Sequence, residues 1–274
     1  MKNILLLLGM SALLSACVSP HKIPPLESSH EPNAFVWHDL VSNEPETSKH
    51  FYGNLFGWSF EKQDKNYSII YDEAHKRLGG LIDNTVDSPQ QQNALWLCVI
   101  QVEDILLATD HILVNGGAMI KQPVEIPDRG IVAVFADENG AILQMVQPSK
   151  TDKVNESPLW VWHELISQSP ERSAKWYTKV FGLEMEKAET DDRYFLKKGD
   201  TLIASISKNP FEDTRDQWIP VLSVQDFDSI VKKAVAKGGK IIPLPSPKTS
   251  PKKLALMLDP NNAPLVLQDK GAAQ

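Results

Sequence analysis

The sequence predicts an α+β protein built from two copies of one module. The main observation is a duplication, because residues 37–58 (WHDLVSNEPETSKHFYGNLFGW) recur without a gap as residues 162–183 (WHELISQSPERSAKWYTKVFGL). Later positions repeat at one fixed offset, such as Trp96 with Trp218. In each copy, alternating strand-like segments and helix-like segments follow one another in the same order. A repeat of this density identifies tandem modules.

The first 16 residues are predicted to be a lipoprotein signal peptide. Lys2 supplies a positive start, and residues 4–14 form an apolar core that is too short to span a bilayer in the usual way. The string Leu-Ser-Ala-Cys ends at Cys17 and resembles the bacterial lipobox, in which the cysteine is acylated. Val18 in the next position favours sorting to the outer membrane. We therefore expect a protein of the bacterial cell envelope, anchored by lipid and facing the periplasm.

Residues 17–34 are rich in proline, serine and charge, which predicts an extended, lipid-anchored tether. Once Cys17 carries lipid, Cys98 is the remaining cysteine, and a disulfide framework is excluded. The formal charge of −7 argues against nucleic acid as a partner. The membrane is expected as a partner only through the N-terminal lipid.

The two modules are predicted at residues 35–148 and 159–269, with a linker at 149–158 and a tail at 270–274. Each module reads in order as strand, helix, return strand, middle strand, third strand, second helix and two final strands. The predicted ranges in the first and second module are 35–41 and 161–166, 45–56 and 170–181, 58–61 and 183–187, 67–71 and 194–197, 95–102 and 218–224, 104–116 and 226–238, 131–135 and 254–258, and 141–146 and 263–268.

Local signals place the ends of these elements. The first helix of each module starts at a proline with a glutamate beside it, and glycines at 57 and 182 end it. Asp104 and Asp226 are expected to cap the second, amphipathic helices. Pro220 lies inside a predicted strand, which favours an edge position or an irregular start.

The motifs W-x-[DE]-L, P-E-x-S, F-G-[WL], a late Gly-Gly and a final D-x-N-G or D-P-N-N turn occur in order in both copies. This pattern resembles the glyoxalase/bleomycin-resistance/dioxygenase superfamily, also called vicinal oxygen chelate proteins. The resemblance implies βαβββ modules, whose curled mixed β-sheets pair around a cleft. It is closest to the tandem, tryptophan-led branch of that superfamily.

The resemblance also implies metal ligands on the first and last strands, and here the sequence departs from the pattern. The matching positions are Trp37, Trp162, Gln144 and Val266. Only Gln144 offers a donor atom, whereas a divalent transition metal needs at least three protein ligands. We therefore expect no metal and no other cofactor.

A register shift of one residue would instead bring His38 and His163 to the cleft face. This alternative metal site would still lack a third ligand, because the last strands carry no His, Cys, Asp or Glu. The favoured interpretation is that both histidines point to the opposite side of the sheet, against the helix, and form hydrogen bonds there.

If Trp37 and Trp162 face the cleft, alternation puts Asp39 and Glu164 on the same face. These carboxylates are the candidate catalytic groups, or they anchor a polar ligand. In the alternative interpretation, they bind nearby amides or solvent.

The expected ligand-binding residues are tryptophans and one glutamine: Trp37, Trp96, Gln144, Trp162 and Trp218. Such a lining would suit a flat apolar or aromatic molecule. Strand tryptophans are also common in cores, so Trp96 and Trp218 have a structural alternative.

Three functions remain open at this stage. The favoured one is a binding protein for a small organic molecule, and the second is a metal-dependent lyase, isomerase or ring-cleaving dioxygenase of the superfamily. The third is an envelope scaffold with vestigial clefts. A homodimer is compatible with the sequence, which leaves the oligomeric state open.

Overall fold

The computed structural model describes residues 33–85, 94–126, 129–149, 157–189, 192–211, 214–244 and 253–271. The predicted signal peptide, most of the tether and most of the linker lie outside these ranges. Among the described helices, none has the length and apolar character needed to cross a membrane. The elements are β1 (Phe35–Ser42), α1 (Pro45–Phe56), β2 (Ser59–Lys62), β3 (Tyr67–Tyr71), β4 (Arg77–Asp83), β5 (Leu95–Gln101), α2 (Ile105–Val114), β6 (Ala118–Ile126), β7 (Gly130–Ala136), β8 (Ile142–Gln147), β9 (Trp160–Ser167), α3 (Pro170–Phe181), β10 (Glu184–Lys187), β11 (Tyr194–Lys198), β12 (Thr201–Lys208), β13 (Gln217–Val224), α4 (Phe227–Ala236), β14 (Lys240–Leu244), β15 (Leu254–Leu258) and β16 (Pro264–Asp269).

Each module forms one eight-stranded mixed sheet, which confirms the predicted α+β class. The strand order is β2-β3-β4-β1-β5-β8-β7-β6 in the first module and β10-β11-β12-β9-β13-β16-β15-β14 in the second. The βαβββ unit therefore occurs twice in each module, rather than once. The additional strands are β4 and β6, with β12 and β14 in the second copy, and the sequence patterns did not predict them.

The centre of each sheet is the antiparallel pair of first strands, β1 with β5 and β9 with β13. Pro220 lies in β13 and is therefore central, not at an edge. Its missing N–H is tolerated because pairing of β13 with β16 starts only at Val221.

The helix ends follow local chemistry in most places. Gly57 and Gly182 end α1 and α3 in the left-handed conformation, with φ of 69° and 63°. The Asp104 carboxylate accepts hydrogen bonds from the backbone N–H groups of Leu106 and Leu107, as expected of a cap. Asp226 differs, because it adopts φ of 50° and its side chain makes no capping bond.

The two sheets present their helix-bearing faces to each other and share two cores. One shared core combines the α2 half of the first module with the α3 half of the second. The other combines the α1 half with the α4 half. The opposite face of each sheet, which we call the cleft face, carries its own apolar cluster.

Candidate functional site

The first strand of each module brings a tryptophan and a carboxylate to the cleft face. Trp37 packs in the cleft-face cluster of the first module, and Trp162 packs against that of the second. Alternation along the strands places Asp39 and Glu164 beside them. The two modules then differ sharply in what surrounds this pair.

In the first module, Asp39 is buried and surrounded by donors. Trp37 Nε1 and the Tyr67 hydroxyl donate to Asp39 Oδ1 at 3.0 and 2.9 Å. Arg129 Nη2 lies 2.9 Å from Asp39 Oδ2, and the two side chains are 4% and 1% exposed. Burial and the neighbouring Asp39 charge raise the pKa of Tyr67, so its hydroxyl keeps the proton that it donates.

The guanidinium of Arg129 fills the cleft of the first module. Its central carbon lies 5.8 Å from the centroid of the Trp37 ring and 5.9 Å from that of Tyr67. Gln144 lies on the same face and is 1% exposed. Its Oε1 has no hydrogen-bond partner among the described residues. The first cleft is therefore closed, with an internal cation as its occupant.

In the second module, the equivalent side chains are less buried, although the Oε1 atom of Glu164 is itself enclosed. Trp162 Nε1 donates to Ser205 Oγ at 2.6 Å, and the Ser205 hydroxyl donates to Glu164 Oε2. Arg193 Nε is 3.9 Å from Glu164 Oε1, the outer limit of an ion pair. Trp162 and Glu164 are half-buried, whereas Trp37 and Asp39 are fully buried.

Strand pairing shows which substitutions separate the two clefts. Asp39 pairs with Gly80 and Glu164 with Ser205, so a serine in the second module corresponds to a glycine in the first. A Cβ atom at Gly80 would collide with the Tyr67 hydroxyl and with Asp39. The same pairing aligns Tyr67 with Arg193. The fixed offset between the copies aligns Arg129 with Pro251 in the sequence, which has no cationic side chain.

Apolar side chains form the walls of the second cleft. The cleft-face cluster contains Ile219, Val221, Leu256 and Val266. The Phe195 ring stands edge-on to Trp162, with centroids 6.5 Å apart.

Trp96 and Trp218, expected to extend the lining, lie on the helix-bearing faces instead. Trp96 pairs with Leu40 and Trp218 with Leu165, which are both in the shared cores. Trp96 Nε1 donates to the Tyr52 hydroxyl at 3.0 Å. Trp218 Nε1 donates to that of Tyr177 at 2.7 Å. Their side chains thus stabilise helix packing and do not reach a cleft face.

His38 and His163 also lie on the helix-bearing faces, where they meet between the modules. Their Nε2 atoms are 3.0 Å apart, so one carries the proton and the other accepts it. The His163 ring stacks on Phe35, and the His38 ring lies over Trp160. Phe35 and Trp160 occupy equivalent positions in the two modules, so each histidine contacts an aromatic ring of the other module. Burial, and secondarily the charge of His163, hold the pKa of His38 well below its usual range.

The residues do not fit the metal that the fold family implies. Within the described ranges, no group of three or more His, Cys, Asp or Glu side chains could hold an ion. On the cleft faces, the expected ligand positions carry indole, glutamine and valine side chains. A histidine-led site would have only the His38–His163 pair, which is coupled internally.

Sequence patterns did not identify Arg129, Ser205 or Arg193. None of them repeats between the modules, and the duplication was the main guide to candidate residues. A short local signal was available for Ser205, because Ser205 and Ser207 flank the apolar Ile206 near the end of β12. Arg129 directly precedes β7, and no repeated or periodic pattern in the sequence predicts its contact with Asp39.

Comparison with known proteins identifies the same family for both modules. The model of the glyoxalase/bleomycin resistance protein/dioxygenase superfamily matches residues 34–145 and 161–266. The putative glyoxylase CFP32 of Mycobacterium tuberculosis is 26% identical over 249 residues, covering 87% of this chain and 95% of that protein. The anthracycline biosynthesis protein DnrV of Streptomyces peucetius is 26% identical over 257 residues, covering 85% and 91%.

Solved structures show the same fold at low identity. The Mn(II)-bound glyoxalase from Novosphingobium aromaticivorans superimposes with a TM-score of 0.60 at 12% identity, covering 87% of this chain and 82% of that one. The substrate complex of homoprotocatechuate 2,3-dioxygenase from Brevibacterium fuscum gives 0.59 at 14%, covering 91% and 73%.

Proposed function

Because the chain belongs to the glyoxalase/bleomycin resistance protein/dioxygenase superfamily, we propose that it binds a small organic molecule in the cleft of its second module. Binding uses no metal. The protein is held at the bacterial cell envelope by lipid on Cys17, at the outer membrane and facing the periplasm. The ligand is flat and apolar or aromatic, with one polar group.

The observation that carries the proposal is the difference between the two clefts. Arg129 occupies the first, whereas Trp162 and Glu164 are half-buried on the cleft face of the second. The apolar walls and the Trp162 and Phe195 rings suit a planar body. The name of the relative DnrV, an anthracycline biosynthesis protein, agrees with an aromatic ligand.

The ligand is tested by a thermal-shift screen of planar aromatic compounds that carry one polar group against the full chain, followed by titration calorimetry of hits. Trp162→Ala is expected to abolish binding, because it removes the stacking surface. Val161→Ala is the matched control and should retain it, because Val161 is exposed and lies outside the cleft-face cluster. Equal affinity in the two variants would place the ligand elsewhere.

The metal-free character is tested by elemental analysis of the purified protein. We expect substoichiometric zinc, nickel, iron and manganese, since the cleft faces lack a donor set for these ions. Stoichiometric metal that is lost in Glu164→Ala, His38→Ala or His163→Ala would support a metal-dependent lyase, isomerase or dioxygenase instead.

The anchor is tested by fractionation of cells that express Cys17→Ser. Several acyl chains hold a protein to a membrane far better than one, because each buried methylene contributes about 0.8 kcal/mol. We expect the unsubstituted protein in the membrane fraction and the variant in the soluble fraction. Membrane association that persists in the variant would count against lipidation.

A further inference from the structure

The two histidines of the duplicated W-H motif meet inside the interface between the modules. His38 Nε2 and His163 Nε2 are 3.0 Å apart, and the planes of the two rings are within 1° of parallel. Both residues are buried, with exposed fractions of 0% and 4%. In this contact one Nε2 atom donates a hydrogen and the other accepts it. The hydrogen bond therefore exists only while at least one of the two rings is neutral.

Aromatic rings enclose the histidine pair on both sides. Each histidine begins a row of rings in which neighbouring centroids lie between 3.8 and 5.6 Å apart. The rows are His38–Trp160–Trp96–Tyr52 and His163–Phe35–Trp218–Tyr177. The pair therefore lies in an apolar surrounding, where a charge costs far more free energy than it does in water.

Within the described ranges, few titratable groups surround the pair. They are the Cys98 thiol of β5, the Tyr52 and Tyr177 hydroxyls of α1 and α3, and the Asp259 and Asp137 carboxyls behind those tyrosines. Gly79 of β4 and Pro220 of β13, which also adjoin the histidines, carry no charge. Burial, and then the charge of His163, lower the pKa of His38, so the His38 ring is neutral at pH 7.

A proton on each ring would remove the contact between the modules. Both Nε2 atoms would then carry hydrogen, so two donors and two positive charges would face each other across 3.0 Å. Neither charge would be compensated by its neighbour, and the rings would lower the cost by moving apart. Acidification below the usual histidine pKa of about 6.5 is therefore expected to separate His38 from His163.

His163 is directly connected to the second cleft. It lies between Trp162 and Glu164 in β9, and alternation places those two side chains on the cleft face of the strand. The ladder between β9 and β13 has a register shift beside Trp162, and such an irregularity locally disrupts strand pairing. A displacement of His163 would therefore move Trp162 and Glu164 as well.

The first cleft is held more firmly than the second. Val36, beside the register shift of β1, is fully buried, whereas the equivalent Val161 of β9 is 38% exposed. Asp39 accepts hydrogen bonds from three side chains of the described residues, whereas Glu164 accepts one. Separation of the histidines should therefore move the cleft residues of the second module more than those of the first.

We propose that the His38–His163 pair is a pH-sensitive contact that controls the geometry of the second cleft. At neutral pH the hydrogen bond holds β1 and β9 together and keeps Trp162 and Glu164 in place. In acid the rings separate, the two cleft residues shift, and the bound ligand is released. Ligand release rests on the proposed function, whereas the movement of Trp162 does not.

The movement is measured by NMR on the full chain without ligand, from about pH 8 to about pH 4, which spans the usual histidine pKa. The indole N–H signals of Trp162 and Trp37 are assigned with Trp162→Phe and Trp37→Phe, and the imidazole signals report the titration of the pair. We expect the Trp162 signal to shift with the same midpoint as the imidazole signals. The Trp37 signal should remain nearly unchanged.

His38→Gln separates the pair from other titrating groups. The glutamine amide has both a donor and an acceptor, so it can bond to either protonation state of His163. The pH-dependent shift of Trp162 should therefore be lost in this variant. His163→Gln makes the same replacement from the other module and should have the same effect. His50→Gln removes an exposed histidine of α1 and is the matched control, which should retain the shift.

A Trp162 shift that persists in a folded glutamine variant would come from another group, such as Glu164 or Asp137, and would overturn the proposal. A midpoint that differs from that of the imidazole signals would do the same, and it is measured on the unsubstituted chain even if neither variant folds. Equal shifts of Trp37 and Trp162 would indicate a general loosening of the fold and would also overturn it. Failure to find a ligand changes none of these signals, so it would count against the proposed function alone.

Discussion

Replacing Arg129 with methionine tests whether the first cleft depends on its internal cation. Methionine keeps much of the side-chain length and apolar contact but removes the guanidinium, which contacts Asp39 at 2.9 Å and the Tyr67 hydroxyl at 3.2 Å. Both members of the ion pair are almost completely buried. Removing one partner of such a pair leaves an uncompensated charge and costs about 3–5 kcal/mol. Trp37 and Tyr67 still donate to Asp39, so we expect the lower end of this range.

The assay is urea unfolding followed by tryptophan fluorescence, with the midpoint and slope compared between variants. Arg172→Met is the matched control, because the Arg172 side chain is 63% exposed and loss of its pair with Glu138 should leave the midpoint nearly unchanged. Adding Asp39→Asn to Arg129→Met should recover most of the loss, since the buried charge is then absent.

Two results would refute the reasoning. One is a decrease in the free energy of unfolding of Arg129→Met that is no larger than the decrease in Arg172→Met. The other is a double variant whose loss is the sum of the two single losses, because residues in one network should couple. Either result would mean that Asp39 is satisfied without Arg129, and that the first cleft is closed for another reason.

The remaining predictions concern buried titratable groups and the glycine that separates the clefts. Burial raises the pKa of Asp137 to about 6, so the folded state holds this proton more tightly than the unfolded state and wild-type stability from this group is lost as pH rises from about 4 to 6. The free energy of unfolding, obtained from urea titrations across that range, should therefore rise for Asp137→Asn relative to wild type as pH rises, by at most about 3 kcal/mol. His38 has the opposite sign, because its lowered pKa means that the unfolded state binds the proton first as pH falls below about 6.5. The free energy of unfolding of His38→Gln should therefore rise relative to wild type as pH falls. If it changed with pH in the same direction in both variants, both assignments would be contradicted. Gly80→Ala should lower stability by about 1–3 kcal/mol, because its Cβ meets the Tyr67 hydroxyl and Asp39. The aligned Ser205→Ala in the second module should lower stability less. Equal decreases in melting temperature for the two variants would show that the two clefts are packed alike.

The fold class and several element boundaries could be predicted because the same local signals occur twice. Pro45 and Gly57, for example, mark both ends of α1, and Pro170 and Gly182 repeat them in α3. The strands β4 and β12 escaped prediction because they lack a clean alternation. Gly79 and Gly80 interrupt β4, where close approach to His38 O and Asp39 requires glycine. Strands β6 and β14 contain prolines, which usually argue against a strand.

The candidate site was predictable only where it is local in sequence. Period-two alternation placed Trp37 with Asp39 and Trp162 with Glu164 on one face. The same alternation could not decide which face Trp96 joins, because β5 is apolar and buried on both sides from Leu95 to Ile100. Its face follows from pairing with Leu40, a contact between strands far apart in the chain. Arg129 immediately precedes β7 and belongs to no periodic pattern, so its contact with Asp39 could not be predicted from the sequence.

The two clefts show how one duplicated arrangement can have opposite outcomes. A tryptophan and a carboxylate on a first strand create a buried acceptor that must find donors, since an unsatisfied buried charge is costly. In the first module, glycine at position 80 leaves room for Tyr67 and Arg129 to supply them from within. In the second, Ser205 occupies that room and satisfies one carboxylate oxygen itself, while Arg193 stays at the limit of an ion pair. The Glu164 Oε1 atom is therefore buried without a hydrogen-bond donor among the described residues, whereas both carboxylate oxygens of Asp39 accept hydrogen bonds.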